Sequence, residues 1–166
     1  AFKKGDKVKL LPSGFMSTIK TIEINGQNIQ EAYSPMSVSV TLKDDLDISR
    51  GDMIVKENNV PIISQDLDLM ICWMDSADLK SRKKVIIKHT TNECLGMITE
   101  ILYKLDINTL HSIKDFEDFK LNDIGRIKIR SSKPLFYDSY KKNRHTGSII
   151  LIDPNTNATI AAGMII

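Results

Sequence analysis

Met97-Ile-Thr-Glu-Ile-Leu-Tyr-Lys-Leu-Asp106 reads as a long strand. Met97, Thr99, Ile101, Tyr103 and Leu105 fall on one face and Ile98, Glu100, Leu102, Lys104 and Asp106 on the other, the period of two that a pleated backbone imposes. The same period runs through Ser37-Val-Ser-Val-Thr-Leu42, where Val38, Val40 and Leu42 oppose Ser37, Ser39 and Thr41, and through Ile127 and Ile129 against Lys128 and Arg130. Val85 and Ile87 alternate with Ile86 and Lys88, so both faces are partly apolar, as in a strand packed on two sides. Asn25-Gly26 suits the positive φ angles of a two-residue hairpin joining Ile19–Ile24 to the residues after Gln27, and Asp153-Pro-Asn155 marks a chain reversal. Only Asn108 to Asp118 has helical spacing, through Leu110, Ile113 and Phe116; short and rich in Asp, it predicts a loop with one turn. Many short strands with regular turn signals predict an all-β barrel or sandwich. The polar run Lys56-Glu-Asn-Asn-Val-Pro61 marks a boundary, giving one barrel over residues 1–57 and a second over 62–166.

The 166 residues carry 23 basic and 21 acidic side chains, a formal net charge of +2. A balance this close to neutral supplies no overall field toward nucleic acid or an anionic membrane. The local runs Lys3, Lys4, Lys7, Lys9 and Lys80, Arg82, Lys83, Lys84 read as solvated strand ends. Cys72 and Cys94 form neither a C-x-x-C pair nor a disulfide scaffold, which predicts reduced thiols and a cytoplasmic protein. The longest apolar run, Ile160 to Ile166, is far too short to span a bilayer, and the amino end carries no apolar signal segment. The sequon Asn157-Ala-Thr159 then has no meaning, since it is read only on the secretory route.

Residues suited to chemistry are present but scattered. Cys94 lies beside Glu93 and near His89, yet nothing local lowers its pKa, and it reads as a small apolar-like residue at a strand end. His89, His111 and His145 are too far apart for a local metal box, so no metal site and no catalytic residue is expected. Asp44-Asp45-Leu46-Asp47 reads as a strand-to-turn segment in which Asp47 caps the Ile48-Ser-Arg-Gly51 turn, and Asp6 after Gly5 plays a similar part. There is no G-x-x-x-x-G-K-[ST] loop, no Asp-x-x-Gly and no Asn-Lys-x-Asp, so the sequence predicts no nucleotide binding. Trp73, the single tryptophan, reads as core in the first strand of the second barrel. Arg126, Arg130 and Arg144 are the candidate partner-binding residues, because a guanidinium can fork onto a neighbouring carboxylate.

Seven segments occur in a shared order: Leu11-Pro-Ser-Gly14, Asp47-Ile-Ser-Arg-Gly-Asp-Met-Ile-Val55, Cys72-Trp-Met-Asp75, Lys88-His-Thr-Thr91, Leu121-Asn-Asp-Ile-Gly-Arg126, Asn143-Arg-His-Thr-Gly-Ser-Ile-Ile-Leu-Ile-Asp153 and Thr156-Asn-Ala-Thr-Ile-Ala-Ala-Gly-Met164. Together they resemble the two carboxyl-terminal barrels of the GTPase subunit of bacterial sulfate adenylyltransferase, a relative of elongation factor Tu. The resemblance covers nearly the whole chain. It implies two consecutive barrels of the translation-factor type, and an intact protein that holds GTP and Mg in an amino-terminal domain, with no cofactor in the barrels themselves. It also implies two partners, that GTPase domain and a small catalytic subunit that makes adenosine 5′-phosphosulfate and pyrophosphate from ATP and sulfate in sulfate assimilation. GTP hydrolysis drives that reaction forward, while the barrels transmit nucleotide state and supply docking surface without doing chemistry. Family members place further strands of the first barrel before the segment resembling Lys4-Gly-Asp-Lys-Val8. The resemblance therefore implies an incomplete first barrel, repaired by self-association or poorly ordered, beside a closed second one. The rival readings are a two-barrel fragment of a translation elongation or release factor that contacts RNA, and a freestanding β-barrel binding module. Lys88-His-Thr-Thr91, Thr156-Asn-Ala-Thr159 and the near-neutral charge favour the sulfate enzyme, with no nucleic acid and no membrane as partners.

Overall fold

Asn25 and Gly26 adopt φ angles of 50° and 78° and fold the chain back on itself, as their side chains favour. In the computed structural model, which describes all 166 residues, this hairpin belongs to the first of two units, Ala1–Val60 and Pro61–Ile166. The first unit contains β1 (Phe2–Lys3), β2 (Lys7–Leu11), β3 (Met16–Ile24), β4 (Gln27–Ile29), β5 (Glu31–Ala32), β6 (Ser39–Leu42) and β7 (Met53–Lys56). The second contains β8 (Ile62–Trp73), β9 (Lys84–His89), β10 (Asn92–Leu105), β11 (Ser112–Ile113), β12 (Ile124–Tyr137), the one-turn helix α1 (Arg144–Gly147), β13 (Ser148–Ile152) and β14 (Thr159–Ile165). No helix is long and apolar enough to cross a membrane.

The first unit does not close. Its main sheet runs β4-β3-β2-β7 with β6 also on β3, and β1 and β5 form a separate pair. Val8, Ile19, Ile22 and Ala32 make a small buried core. Beside it Phe2, Val38, Val40 and Ile54 line an apolar cavity of about 410 Å³. Val38, Val40 and Leu42 point inward as their alternation predicts, although only Ser39–Leu42 pairs as strand. One expected cap is corrected: Asp52, not Asp47, fastens the turn before β7. Its Oδ2 accepts from Ser49 N–H at 2.9 Å and its own N–H donates to the Ser49 carbonyl at 3.0 Å. A carboxylate after the turn reaches back over it as readily as one before it reaches forward. Asp6 does the same, its Oδ2 accepting from Lys3 N–H at 2.9 Å.

The second unit is a closed six-stranded barrel. Its strands follow β10-β12-β8-β14-β13-β9, and β9 pairs back onto β10; β11 is added at the far end of β10. Closure leaves an interior of inward-facing side chains, among them Leu69, Ile71, Trp73, Val85, Ile87, Ile127 and Leu151, each 1% exposed or less. Trp73 is fully buried and donates Nε1–H to the Ala77 carbonyl at 2.8 Å, which satisfies its one polar atom. Asn108 to Asp118 is irregular apart from one turn and the two residues of β11.

The simple alternation of Met97 to Asp106 is corrected by the pairing. Ile98 faces the core and Met97 and Thr99 face out, but Ile101 also packs against the core. The register of β10 on β12 shifts between Ile98 and Glu100 and again between Ile101 and Tyr103. Each extra residue in such a bulge moves the side chains that follow to the opposite face.

Candidate functional site

The three candidate arginines lie on the second barrel, two of them on the outer face of β12. Strand register brings those two beside the carboxylates of β8. Arg126, Lys128 and Arg130 lie opposite Met70, Asp68 and Asp66 of β8, so a row of three cations on one strand faces two carboxylates on the next. Arg126 reaches Asp68 with two bonds, Nε to Oδ1 at 2.8 Å and Nη2 to Oδ2 at 2.6 Å. The bonded carboxylate raises the guanidinium pKa further above its ordinary value. Lys128 turns the other way, to Glu100 of β10 at 2.9 Å, which raises its pKa too. Arg130 spans both oxygens of Asp66 through Nη1 at 3.0 Å, on the most exposed part of this ladder. Arg144 is elsewhere, on α1, with its guanidinium carbon 5.8 Å from the centre of the Tyr140 ring. The structure therefore brings Arg126 and Arg130 into one charge ladder and leaves Arg144 apart.

The groups suited to nucleophilic chemistry are held in structural roles. His89 is 2% exposed and its Nε2 lies 2.7 Å from the Thr146 carbonyl oxygen, tying β9 to the end of α1. Burial holds its pKa below the ordinary imidazole value, partly offset by that carbonyl. Cys94 packs partly buried against the core, and desolvation pushes its thiol up against the opposing pull of Lys133 and Ser132. A thiol kept protonated is a poor nucleophile.

A different outer face of the second barrel, not evident from any single segment, carries an apolar row. Leu95 of β10 lies directly opposite Ile86 of β9, and Ile86 directly opposite Ile152 of β13. All three point outward, because Gly96, Val85, Ile87 and Leu151 beside them in sequence are buried. Met97 and Ile150 flank the row and are 40% and 39% exposed. The signal was present in Val85-Ile86-Ile87, whose two apolar faces predict packing on both sides, but the neighbouring strands needed to complete the row cannot be read from one segment.

Comparison with known proteins follows this architecture. A protein-family description, GTP-eEF1A C-terminal domain-like, matches residues 66–166. The chain is 46% identical over 165 residues to the bifunctional enzyme CysN/CysC of Mycobacterium tuberculosis, covering 99% of this chain and 27% of that protein. It is 45% identical over 165 residues to sulfate adenylyltransferase subunit 1 of Bacteroides fragilis, covering 99% of this chain and 34% of that one. It thus spans about a quarter to a third of the curated relatives it matches. Among solved structures, Sup35 complexed with GDP superimposes over 99% of this chain and 41% of its own with a TM-score of 0.88 at 16% identity, a likeness of fold.

Proposed function

Because the chain belongs to the GTP-eEF1A C-terminal domain-like family, we propose that it is the barrel region of the GTPase subunit of a cytoplasmic sulfate adenylyltransferase. Its part is to dock the small catalytic subunit and its own GTPase domain. The observation that carries this reading is a contrast in identity: 45% to sulfate adenylyltransferase subunit 1 across nearly the whole chain, against 16% to Sup35 of the same fold. A shared architecture alone does not choose between sulfate activation and translation. Extended identity over both units does favour one. GTP and Mg belong in this reading to the domain that precedes the barrels, and adenylyl sulfate is made from ATP and sulfate on the catalytic subunit. Arg126 with Asp68 and His89 with Thr146 are internal ties of the closed barrel, so in this reading docking falls to the rest of its outer surface.

Calorimetric titration of the 166-residue chain with the small catalytic subunit, and separately with a fluorescent GTP analogue, tests the reading. The expected result is saturable binding of the subunit and none of the nucleotide. Binding of aminoacyl-tRNA without binding of the subunit would instead support the translation reading.

A further inference from the structure

We propose that the outer face of β10, β9 and β13 is the docking surface of the second barrel, and that it takes a protein surface with an apolar ridge bordered by carboxylates. The inference rests on the docking function proposed above and names the place. Its foundation is the row Leu95, Ile86 and Ile152, three aliphatic side chains in direct register across three strands on the outside of a closed barrel. Strands about 4.8 Å apart make this a continuous strip roughly 10 Å long, which Met97 and Ile150 widen on either side. Leu95 is 60% exposed, although a solvated sheet face ordinarily presents polar side chains. A contiguous apolar patch within a polar rim marks an interaction site.

The rim gives the partner its sign. Lys84 lies opposite Met97 on β9, Arg130 lies opposite Met97 on β12, and Lys88 lies opposite Ile150. A fourth cation, Lys133, is exposed and next in sequence to Ser132, which lines the adjoining groove; of the four, Lys88 lies opposite Glu93 and Arg130 is bonded to Asp66. Lys84, Lys88 and Lys133 take part in none of the salt bridges of the chain, and of these Lys84 and Lys133 have no carboxylate opposite them in the strand register. A partner that offers carboxylates at these two places completes the rim, and one that offers cations is repelled. The aliphatic floor contains no aromatic ring on which a base could stack, so the surface fits protein better than RNA.

The groove is also built in advance. Between Arg130 and Leu135 the register of β12 on β8 jumps, opposing Arg130 to Asp66 and Leu135 to Ser64, so residues 132–134 arch out of the β8 ladder while Ser131 still pairs with Gly96 of β10. The arch walls a groove of about 310 Å³ whose lining includes Lys84, Leu95, Met97 and Ser132. Ser131, 3% exposed, pins it: its hydroxyl lies 2.7 Å from the Lys133 carbonyl and 3.1 Å from that of Gln65, and Gln65 Nε2 donates to the Ser131 carbonyl at 3.4 Å. A wall fixed before binding spares the complex the entropy of ordering it.

The test uses the intact GTPase subunit and the purified small catalytic subunit, with affinity measured by calorimetry for wild type, Leu95→Glu and the double variant Lys84→Glu/Lys133→Glu. All three sites are exposed, and thermal melting confirms that each variant folds. The expected result is at least about tenfold weaker binding for Leu95→Glu, and weaker, less salt-sensitive binding for the double variant. Wild-type affinity in both variants overturns the proposed surface while leaving the docking function intact. No binding by the wild type overturns both. Sedimentation of the subunit alone reads a further outcome, since self-association abolished by Leu95→Glu would assign the face to a second copy and overturn the partner. Binding of tRNA lost in the double variant would overturn it in favour of RNA.

Discussion

Arg126 is closed onto Asp68 by a forked pair of hydrogen bonds, at 2.8 and 2.6 Å, across adjacent strands of one barrel. A guanidinium so engaged has already spent the geometry that would make it a partner-binding residue. Arg126→Lys is therefore expected to change affinity for the catalytic subunit by less than about threefold, as for other exposed ion pairs, while lowering the melting temperature of the second unit. Calorimetry beside a thermal melt checks both halves; a large loss of affinity at unchanged melting temperature would return Arg126 to the interface.

Gly125 and Gly147 are predicted to tolerate no side chain. A Cβ on Gly125 would collide with the Tyr103 carbonyl oxygen and the Phe119 ring, and one on Gly147 with the Tyr140 backbone. Backbone cannot swing aside as a flexible side chain does. Gly125→Ala and Gly147→Ala should each destabilise the second unit by at least about 2 kcal/mol. Urea unfolding followed by fluorescence measures this selectively, because the chain has one tryptophan and Trp73 is buried in that unit.

His89 gives the second unit a pH dependence of definite sign. Its folded pKa is held down by burial, so as pH falls the unfolded chain takes up the proton first. Stability should then decline below the ordinary imidazole value near about 6.5, with a slope of at most about 1.4 kcal/mol per pH unit from this one group. His89→Gln, which keeps an N–H donor for the Thr146 carbonyl, should lose the decline between pH 7 and 5. Asp138 and Asp153 act in a separate window. Lys142 and the N–H groups of Asn155 and Thr156 respectively hold their carboxyls down, so what they contribute is present above the unfolded value and lost as pH falls through the folded one.

The open sheet of the first unit suggests self-association. Its strand order runs out at β7 and β4 instead of returning, and exposed edges with an adjoining apolar cavity favour pairing with another chain. Light scattering over a dilution series of the 166-residue chain should show mass falling with concentration. A constant monomer mass would show that residues 1–60 form a self-sufficient sheet.

Much of this was legible in sequence where a local rule has a single outcome. Asn25-Gly26 can turn in few ways, and the hairpin followed. Trp73 had one polar atom to satisfy, and Ala77 satisfies it. The failures occurred where two distant segments decide together. The bulges of β10 are set by its register on β12, and nothing in Met97 to Asp106 alone reveals them. Arg126 and Arg130 could be seen as available for pairing, but Asp68 and Asp66 become their partners only once β8 lies beside β12. The apolar row fails in part in the same way: Leu95 meets Ile86 through the local hairpin turned at Thr90 and Thr91, but Ile152 joins only once β13 lies beside β9.

Competition in the complete reaction tests the central claim most directly. The isolated chain is added to a reconstituted enzyme of catalytic and GTPase subunits, and adenylyl sulfate formation is followed. If the chain carries the docking surface, it should displace the intact GTPase subunit and inhibit the GTP-driven reaction in a dose-dependent, saturable way. An unchanged rate at a large excess of folded chain would contradict the account.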